Sequence, residues 1–357
     1  MANFTVSSAV DTMMQSSDSS GIRSAIGAIN SPYTTDFISG TEQTRNLSSI
    51  TNSSGYYNNN NLTSVYVGSN VTSIGNYSFQ FCYSLNDITI SEGVTSIGSG
   101  AFRYCADSHI TIPNSVTSIG SSAFGYSNLN SITLPTNDNF TALGNSLFYG
   151  TGLTSITIPD SVTSIGSATF SSSGLSSVTI PSSVTSIGSS AFAYTSLTNV
   201  TIPSGATLGA GVFAFTSMQS VTFEAGATTT GSNSFYYCNN LNSVTLPDSV
   251  TSIGVNCFAR SALPSITLPS SVTSIGSNAF FYCFSLSSIT MPSSTTSIGS
   301  GAFAYCTSLA TINCLATTAP TLGATAFSNT SATQIHVPVG ATGYGTTYGS
   351  LTVVADL

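Results

Sequence analysis

Apolar and polar positions repeat in one long rhythm from about residue 61 to residue 338. The phrase Val-Thr-Ser-Ile-Gly-x-x-x-Phe places a phenylalanine at Phe79, Phe102, Phe124, Phe148, Phe170, Phe192, Phe213, Phe235, Phe258, Phe280, Phe303 and Phe327. These twelve copies recur about every 22.5 residues. Five residues before each phenylalanine stands Ile or Leu, except at Thr230. Between these anchors runs Leu-x-x-Ile-Thr-Ile-Pro, thirteen times, from Leu62-Thr-Ser-Val65-Tyr-Val67 to Gln334-Ile335-His336-Val337-Pro338. A period of this length marks units that bury their apolar faces on one another.

One copy predicts its own structure. Ile156-Thr157-Ile158 alternates apolar with polar, the period of a strand with one buried face. Pro159 follows, as proline does in nine of thirteen copies, and ends the ladder because it has no N–H to donate. Ser161-Val162-Thr-Ser-Ile165-Gly166 reads as a second short extended edge with Val162 and Ile165 inward. Gly166 is expected to turn the chain, and the stretch to Phe170 has room for one helical or 3₁₀ turn. Thirteen stacked strands at about 4.8 Å make a rod roughly 60 Å long. About five inward apolar side chains per coil, at roughly 1.5–3 kcal/mol each, supply a core that needs no charge pairing.

The phrase Leu-x-x-Ile-x-Ile-Pro-x-x-Val-x-x-Ile-Gly-x-x-Ala-Phe-x-x-Cys, as in Leu286 to Cys306, resembles the BspA-like leucine-rich repeat, in register a dozen times. The stretch Asn313-Cys-Leu-Ala-Thr-Thr-Ala-Pro320 through Ile335-His-Val-Pro338 to Tyr344 resembles that family's closing coil. The resemblance implies an all-β-rich, right-handed solenoid of about 12–13 coils, and a binding or adhesive role rather than catalysis. The expected organisation is a non-repeat cap or attachment segment at 1–60, the solenoid at 61–338 and a C-terminal cap at 339–357. Local departures are Asp107 at a core leucine position, the coil around Ala225 to Gly231, which lacks its isoleucine, and an insertion at Thr136 to Phe140.

Charge narrows the function. Of 357 residues only 16 are charged, 12 acidic and 4 arginine, with no lysine and a net charge of −8. Such a balance argues against binding a phosphate backbone, which needs clustered cations. A 41% hydrophobic content with 36 Phe and Tyr argues against disorder. No apolar run approaches the roughly 18 residues of a membrane span, and Met1-Ala-Asn-Phe-Thr-Val does not read as a secretory signal.

The remaining chemistry is sparse. Cys82, Cys105, Cys238, Cys283 and Cys306 stand three residues after an anchor phenylalanine; Cys257 precedes one, and Cys314 replaces a strand isoleucine. All seven are expected inward as free thiols. Bridges between stacked neighbours, Cys82–Cys105 or Cys283–Cys306, are the alternative, but parallel side chains suit the disulfide torsion poorly. No cysteine or histidine spacing fits zinc, and neither metal nor cofactor is expected. His109 and His336 fall at outward strand positions, with Asp87 in the row of His109 one coil earlier. No acid–base–nucleophile set emerges, so no enzymatic activity is expected.

Two outward rows are candidates for binding. One is Thr89, Thr111, Thr133, Thr157, Thr179, Thr201, Thr222, Thr245, Thr267 and Thr290, flanked by Ser131, Ser155, Ser177, Asn199, Ser220, Ser243, Ser265 and Ser288. It reads as strand propensity with hydroxyls bonding along the ladder, or as a flat array of the ice-binding kind. The other lies two residues after each anchor: Phe81, Tyr104, Tyr126, Tyr194, Phe215, Tyr237, Tyr282 and Tyr305, interrupted at Gly150, Ser172 and Arg260. This row reads as packed rings shielding the coil edge or as a contact stripe for sugars or protein. The candidate contact residues are Tyr104, Tyr126, Tyr194, Tyr237, Tyr282 and Tyr305.

Residues 1–60 leave the repeat. Val6 to Asp18 and Gly21-Ile-Arg-Ser-Ala-Ile-Gly27 suggest short helices, the first amphipathic. Arg23-Ser-Ala-Ile-Gly27 resembles an element near the start of phage tail-fibre proteins, and Asn52 to Asn61 reads as a linker or edge loop. The expected function is a non-enzymatic, receptor-binding repeat protein of a phage virion that recognises a host-surface glycan or protein. In that reading the N-terminal segment meets other virion proteins or a second copy. A bacterial surface adhesin and an ice-binding solenoid are the alternatives. The expected place is a virion or extracellular surface, without nucleic acid or membrane insertion.

Overall fold

The computed structural model describes residues 56–357, together with the backbone of two short strands, Ile38–Ser39 and Ser49–Ile50. The chain forms a parallel β-solenoid of about 13 turns. Each turn contributes to two sheets and to a turn-built third wall, and the described residues contain no helix. The room seen for a helical turn before Phe170 is filled instead by consecutive tight turns. No helix is long and apolar enough to cross a membrane among the described residues.

The first sheet is built from the Ile-Thr-Ile phrase. Ser64–Val67 pairs with Asp87–Ile90, His109–Thr111 with Ser131–Thr133, and Asn199–Ile202 with Ser220–Phe223, which pairs in turn with Ser243–Thr245. Nearer the C-terminus, Ser288–Met291, Thr311–Cys314, Gln334–Val337 and Leu351–Ala355 continue it. The second sheet stacks the Ser-Ile pairs of the Val-Thr-Ser-Ile phrase, as in Ser164–Ile165 on Ser186–Ile187.

Neither sheet is unbroken, which departs from the expectation of a strand at every repeat. The first sheet lapses between Asp87–Ile90 and His109–Thr111, beside the departure at Asp107, then around residues 155–180, where a single bridge joins Thr157 to Thr179, and again at 265–268, just after Pro264. The second is interrupted by the insertion at Thr136 to Phe140 and by the coil that lacks its isoleucine at Thr230. The lapses are staggered, so every junction between successive coils keeps at least one closed ladder. The departures seen in the sequence therefore cost local pairing and leave the solenoid continuous.

Stacking buries the inward residues as the repeat requires. In one coil Leu153, Ile158, Val162, Ile165 and Phe170 are all buried. The anchor phenylalanines form a spine of stacked rings from Phe79 to Phe327. Adjacent centroids are 5.2 Å apart at Phe79–Phe102 and 5.9 Å at Phe124–Phe148, and Tyr56 closes the N-terminal end at 5.4 Å. Asp107, at a leucine position, is buried and accepts the backbone N–H groups of Ile88 (2.8 Å) and His109 (3.0 Å), while burial raises its pKa.

Glycine after each Ser-Ile pair serves a different purpose from the turn expected at Gly166. Its φ is not left-handed; a Cβ there would lie 2.6 Å from Asn145 Oδ1 and 2.7 Å from the Asn145 backbone nitrogen of the preceding coil. Close approach of coils, not backbone freedom, requires it. The left-handed residues lie elsewhere, two before and two after each phenylalanine.

All seven cysteines are free and buried. Six thiols donate to a carbonyl one coil back, for example Cys105 Sγ to Phe79 O at 3.2 Å and Cys306 Sγ to Phe280 O at 3.0 Å. Ser127 and Thr151, at the same phase, donate instead to their own coil's phenylalanine carbonyl. Burial pushes the Cys238 thiol up to about 11 and that of Cys257 to about 12. Thiolate being the reactive species, the folded protein should resist alkylation at neutral pH while seven thiols react in denaturant. Fewer than seven modified cysteines by mass spectrometry under non-reducing denaturation would contradict this.

Both ends of the first sheet carry an antiparallel strand. Ile38–Ser39 pairs with Ser64–Val67, and Thr347–Tyr348 turns back on Leu351–Ala355. Each covers an edge that would otherwise offer unpaired backbone groups.

Candidate binding surface

The row two residues after each anchor is built by backbone before side chains. From Phe81 to Asn329 every residue at this phase has a left-handed φ, 56–67°. Its N–H donates to the next coil: Tyr104 N to Gly125 O (3.1 Å), Tyr194 N to Ala214 O (3.0 Å), Tyr305 N to Ser328 O (2.8 Å). For a non-glycine residue this conformation costs roughly 1–2 kcal/mol, and bulky residues rarely adopt it. Eight coils nevertheless carry Phe or Tyr there, and Gly150 alone uses glycine.

The six candidate tyrosines fall into two stacks. Phe81, Tyr104 and Tyr126 form the first, with centroids 5.0 and 4.9 Å apart. Tyr194, Phe215 and Tyr237 begin the second, at 4.7 and 5.1 Å, and Tyr282–Tyr305 ends it at 4.6 Å. Arg260 is not an interruption: its guanidinium carbon lies 4.5 Å from the Tyr237 ring centre and 4.7 Å from that of Tyr282, so it joins the stack. Between Phe81 and Tyr305 the gap is at Gly150 and Ser172, where φ is unchanged but no ring is present.

Stacking decides which parts of these rings meet solvent. Faces are taken by neighbours along each stack, leaving mainly ring edges and hydroxyls outside. Tyr194, which ends its stack at the gap, is 57% exposed; Tyr104, Tyr237 and Tyr282, inside their stacks, are only partly exposed. Neighbouring residues missed in the sequence add edges: Tyr149 meets Tyr126 at 5.0 Å, Tyr236 meets Phe215 at 5.5 Å, and Phe281 meets Tyr305 at 5.6 Å. Extending the 22-residue register by one position would have found them. Burial and the Tyr149 hydroxyl hold the Tyr126 phenol above its usual range, with Arg103 pulling the other way.

The outer threonine row differs from its expected role. Its hydroxyls do not bond to one another among the described residues; the row's one side-chain bond along the ladder there is Asn313 Nδ2 donating to Thr290 Oγ1 (3.4 Å). Hydroxyl laddering occurs instead on the second sheet, where Thr95 donates to Thr72 O, Thr117 to Thr95 O and Thr185 to Thr163 O. The lapses in the first sheet also break the threonine array into blocks.

The histidines lie in different coils, as read. His109 Nδ1 is 2.6 Å from Ser131 Oγ, and His336 Nδ1 is 3.0 Å from both carboxylate oxygens of Asp356. The hydroxyl partner and the acid partner thus belong to opposite ends of the rod. No group of three or more His, Cys, Asp or Glu suited to a metal occurs among the described residues.

A model of the BspA type leucine rich repeat region matches residues 48–144, 141–263 and 228–347. Among curated proteins, none matches the chain. Among solved structures, a leucine-rich repeat protein from Bacteroides ovatus superposes with a TM-score of 0.59 at 22% identity, covering 92% of this chain and all of that one. A leucine rich cell surface protein from Faecalibacterium prausnitzii gives 27% identity over 70% of this chain and 78% of its own, with a TM-score of 0.41. The pneumococcal vaccine antigen PcpA gives 24% identity over 77% and 82%, with a TM-score of 0.48. The Bacteroides structure shares the fold, the family model spans most of the sequence, and the chain belongs to the BspA-type leucine-rich repeat family.

Proposed function

We propose that the protein is a non-enzymatic adhesin-type solenoid that contacts a host-surface glycan or protein through the outer aromatic row. The observation that carries this reading is the set of aromatic residues held at left-handed φ on the coil edge. Ring stacking contributes about 0.5–1.5 kcal/mol per pair, comparable to the backbone cost, so stability alone favours neither Tyr nor Gly there. Residues kept in costly conformations at a partly exposed edge point to function. Tyr194, Tyr237, Tyr282 and Tyr305, with Tyr104 and Tyr126 on the shorter stack, are the proposed contact residues. Many similar coils supply avidity rather than one deep pocket.

Replacing Tyr194, Tyr237 and Tyr282 together by Ser tests this. Ser172 already occupies the same backbone state, so the triple variant should fold, as circular dichroism would show. Adsorption to the cells that bind the parent protein should fall at least tenfold. Undiminished adsorption of a folded variant would mean that the rings only pack.

The tail-fibre resemblance rests on Arg23 to Gly27, which lies outside the described residues. Mounting of the rod is assigned to this N-terminal segment, on a virion or on a bacterial envelope. Immunogold labelling separates them: label on phage particles supports the virion placement, and label on the envelope supports the bacterial adhesin. The ice-binding reading draws on the threonine row, whose division into blocks counts against a single flat array. Thermal hysteresis at micromolar protein would revive it.

A further inference from the structure

Arginine is scarce in this chain, with four in all and no lysine. Both described arginines, Arg103 and Arg260, lie against the aromatic row, and neither makes an ion pair or a side-chain hydrogen bond among the described residues. Their surroundings differ. Arg260 is sandwiched between two rings as a member of the stack. Arg103, one residue closer to its phenylalanine, has its guanidinium carbon 5.1 Å from the ring centres of both Tyr104 and Tyr126. It also lines a cleft of about 150 Å³ with Ser122, Gly125, Tyr126, Ser146 and Tyr149.

The chemistry of that cleft is unbalanced. Arg103 Nε is buried and has no acceptor. Two rings are its neighbours, but no anion accompanies this cation among the described residues of a chain with net charge −8. Two rings hold the guanidinium in place, so little ordering remains to be done when an anion arrives. Ser122, Ser146 and Tyr149 add hydroxyls that can donate to oxygen. One cation matches one negative charge, which favours a carboxylate over a dianionic phosphate. Tyr126 and Tyr149 line the cleft beside the charge, and their ring edges offer apolar surface against which the C–H groups of a sugar can pack.

We propose that this cleft binds the carboxylate of an acidic sugar, with Arg103 as its counter-ion. The proposal rests on the reading of the aromatic row as a contact surface and names a subsite at its N-terminal stack. It places recognition of charge at one coil, while the longer stack from Tyr194 to Tyr305 contributes uncharged contact.

The test uses the full chain and D-glucuronate, with D-glucose as the neutral control and acetyl-alanine as a peptide-type carboxylate, followed by ligand-observed NMR titration. Glucuronate should bind at least tenfold more tightly than either control, and Arg103→Gln should erase that preference. Arg260→Gln, which removes a stacked cation away from the cleft, should retain it. Equal binding of glucose and glucuronate overturns the proposal, as does equal binding of acetyl-alanine, or a preference that survives Arg103→Gln. Cell adsorption separates this inference from the broader one. If Arg103→Gln binds glucuronate like the parent while the triple tyrosine variant loses adsorption, the subsite fails and the row stands. If the triple variant adsorbs normally and Arg103→Gln alone abolishes glucuronate preference, the row fails and the subsite stands.

Discussion

Phe192→Ala is expected to destabilise the protein by about 3–5 kcal/mol, the range for deleting a buried phenylalanine ring. The ring is fully buried and stacked on both sides, 5.2 Å from Phe170 and 5.3 Å from Phe213. Its removal therefore leaves a void in the middle of the spine, between coils that the backbone bond from Phe192 N to Val212 O (2.9 Å) prevents from collapsing. In a solenoid each coil is held chiefly by its two neighbours, so a weak central coil weakens coupling between the halves. Urea unfolding followed by circular dichroism should show a lower midpoint and a broader transition than the parent. Tyr194→Ala, two residues away on the exposed edge, is the control and should lose much less. A Phe192→Ala midpoint equal to that of the control would mean that the spine does not carry the fold.

Gly188→Ala is expected to cost about 3 kcal/mol or more, at the upper end for steric overfilling, because the obstacle is backbone. A Cβ on Gly188 would stand 2.4 Å from Ser167 N and 2.6 Å from Gly166 C. Neither atom can swing aside as a flexible side chain would. Relief requires the coils to separate, which strains the 2.7 Å bond from Gly188 N to Ile165 O and the pairing of Ser186 with Ser164. Gly205→Ala provides the contrast: its φ is +75°, but nothing lies within 4 Å of the added carbon. Only backbone strain acts there, roughly 1–2 kcal/mol. Thermal melts should rank Gly188→Ala well below Gly205→Ala. The reverse order would show that these glycines serve conformation rather than the approach of coils.

The two substitutions probe features that were unequally visible in the residues. Phe192 announces itself by recurring in register with eleven others, and a side chain repeated every coil must meet its own copies. Gly188 recurs just as regularly, yet the phrase suggests a turn at its equivalent Gly166, where the coils in fact approach closely. Glycine serves both left-handed backbone and close approach, and a repeat motif does not distinguish them. The seven cysteines are legible as inward from phase alone, because a position that is inward in one coil is inward in the next: Ser127, Thr151 and Thr195, at the phase of five of them, are buried too. Their hydrogen bonds one coil back were not visible, since they depend on the offset between coils.

The aromatic row shows the same division at the candidate site. Its register and its members were legible, because repetition at constant phase needs no coordinates. Its meaning changed once the coils were stacked. The rings stack as one of the two readings of the row has them, and they present mostly edges, for their faces meet at 4.6–5.1 Å along the rod. Arg260, which looked like a break, continues a stack through its planar cation, and Arg103, unremarked in the sequence, lines a cleft between coils.

Periodicity along one chain was sufficient to establish a solenoid, its inward residues and the rows on its surface, since each follows from which positions repeat. Which row bonds to itself, where each sheet lapses and which rings keep an open face depended on distances between residues some 22 positions apart. Those distances are set by how closely the coils approach and by the left-handed turns that aim each side chain, and neither is encoded in the repeat phrase.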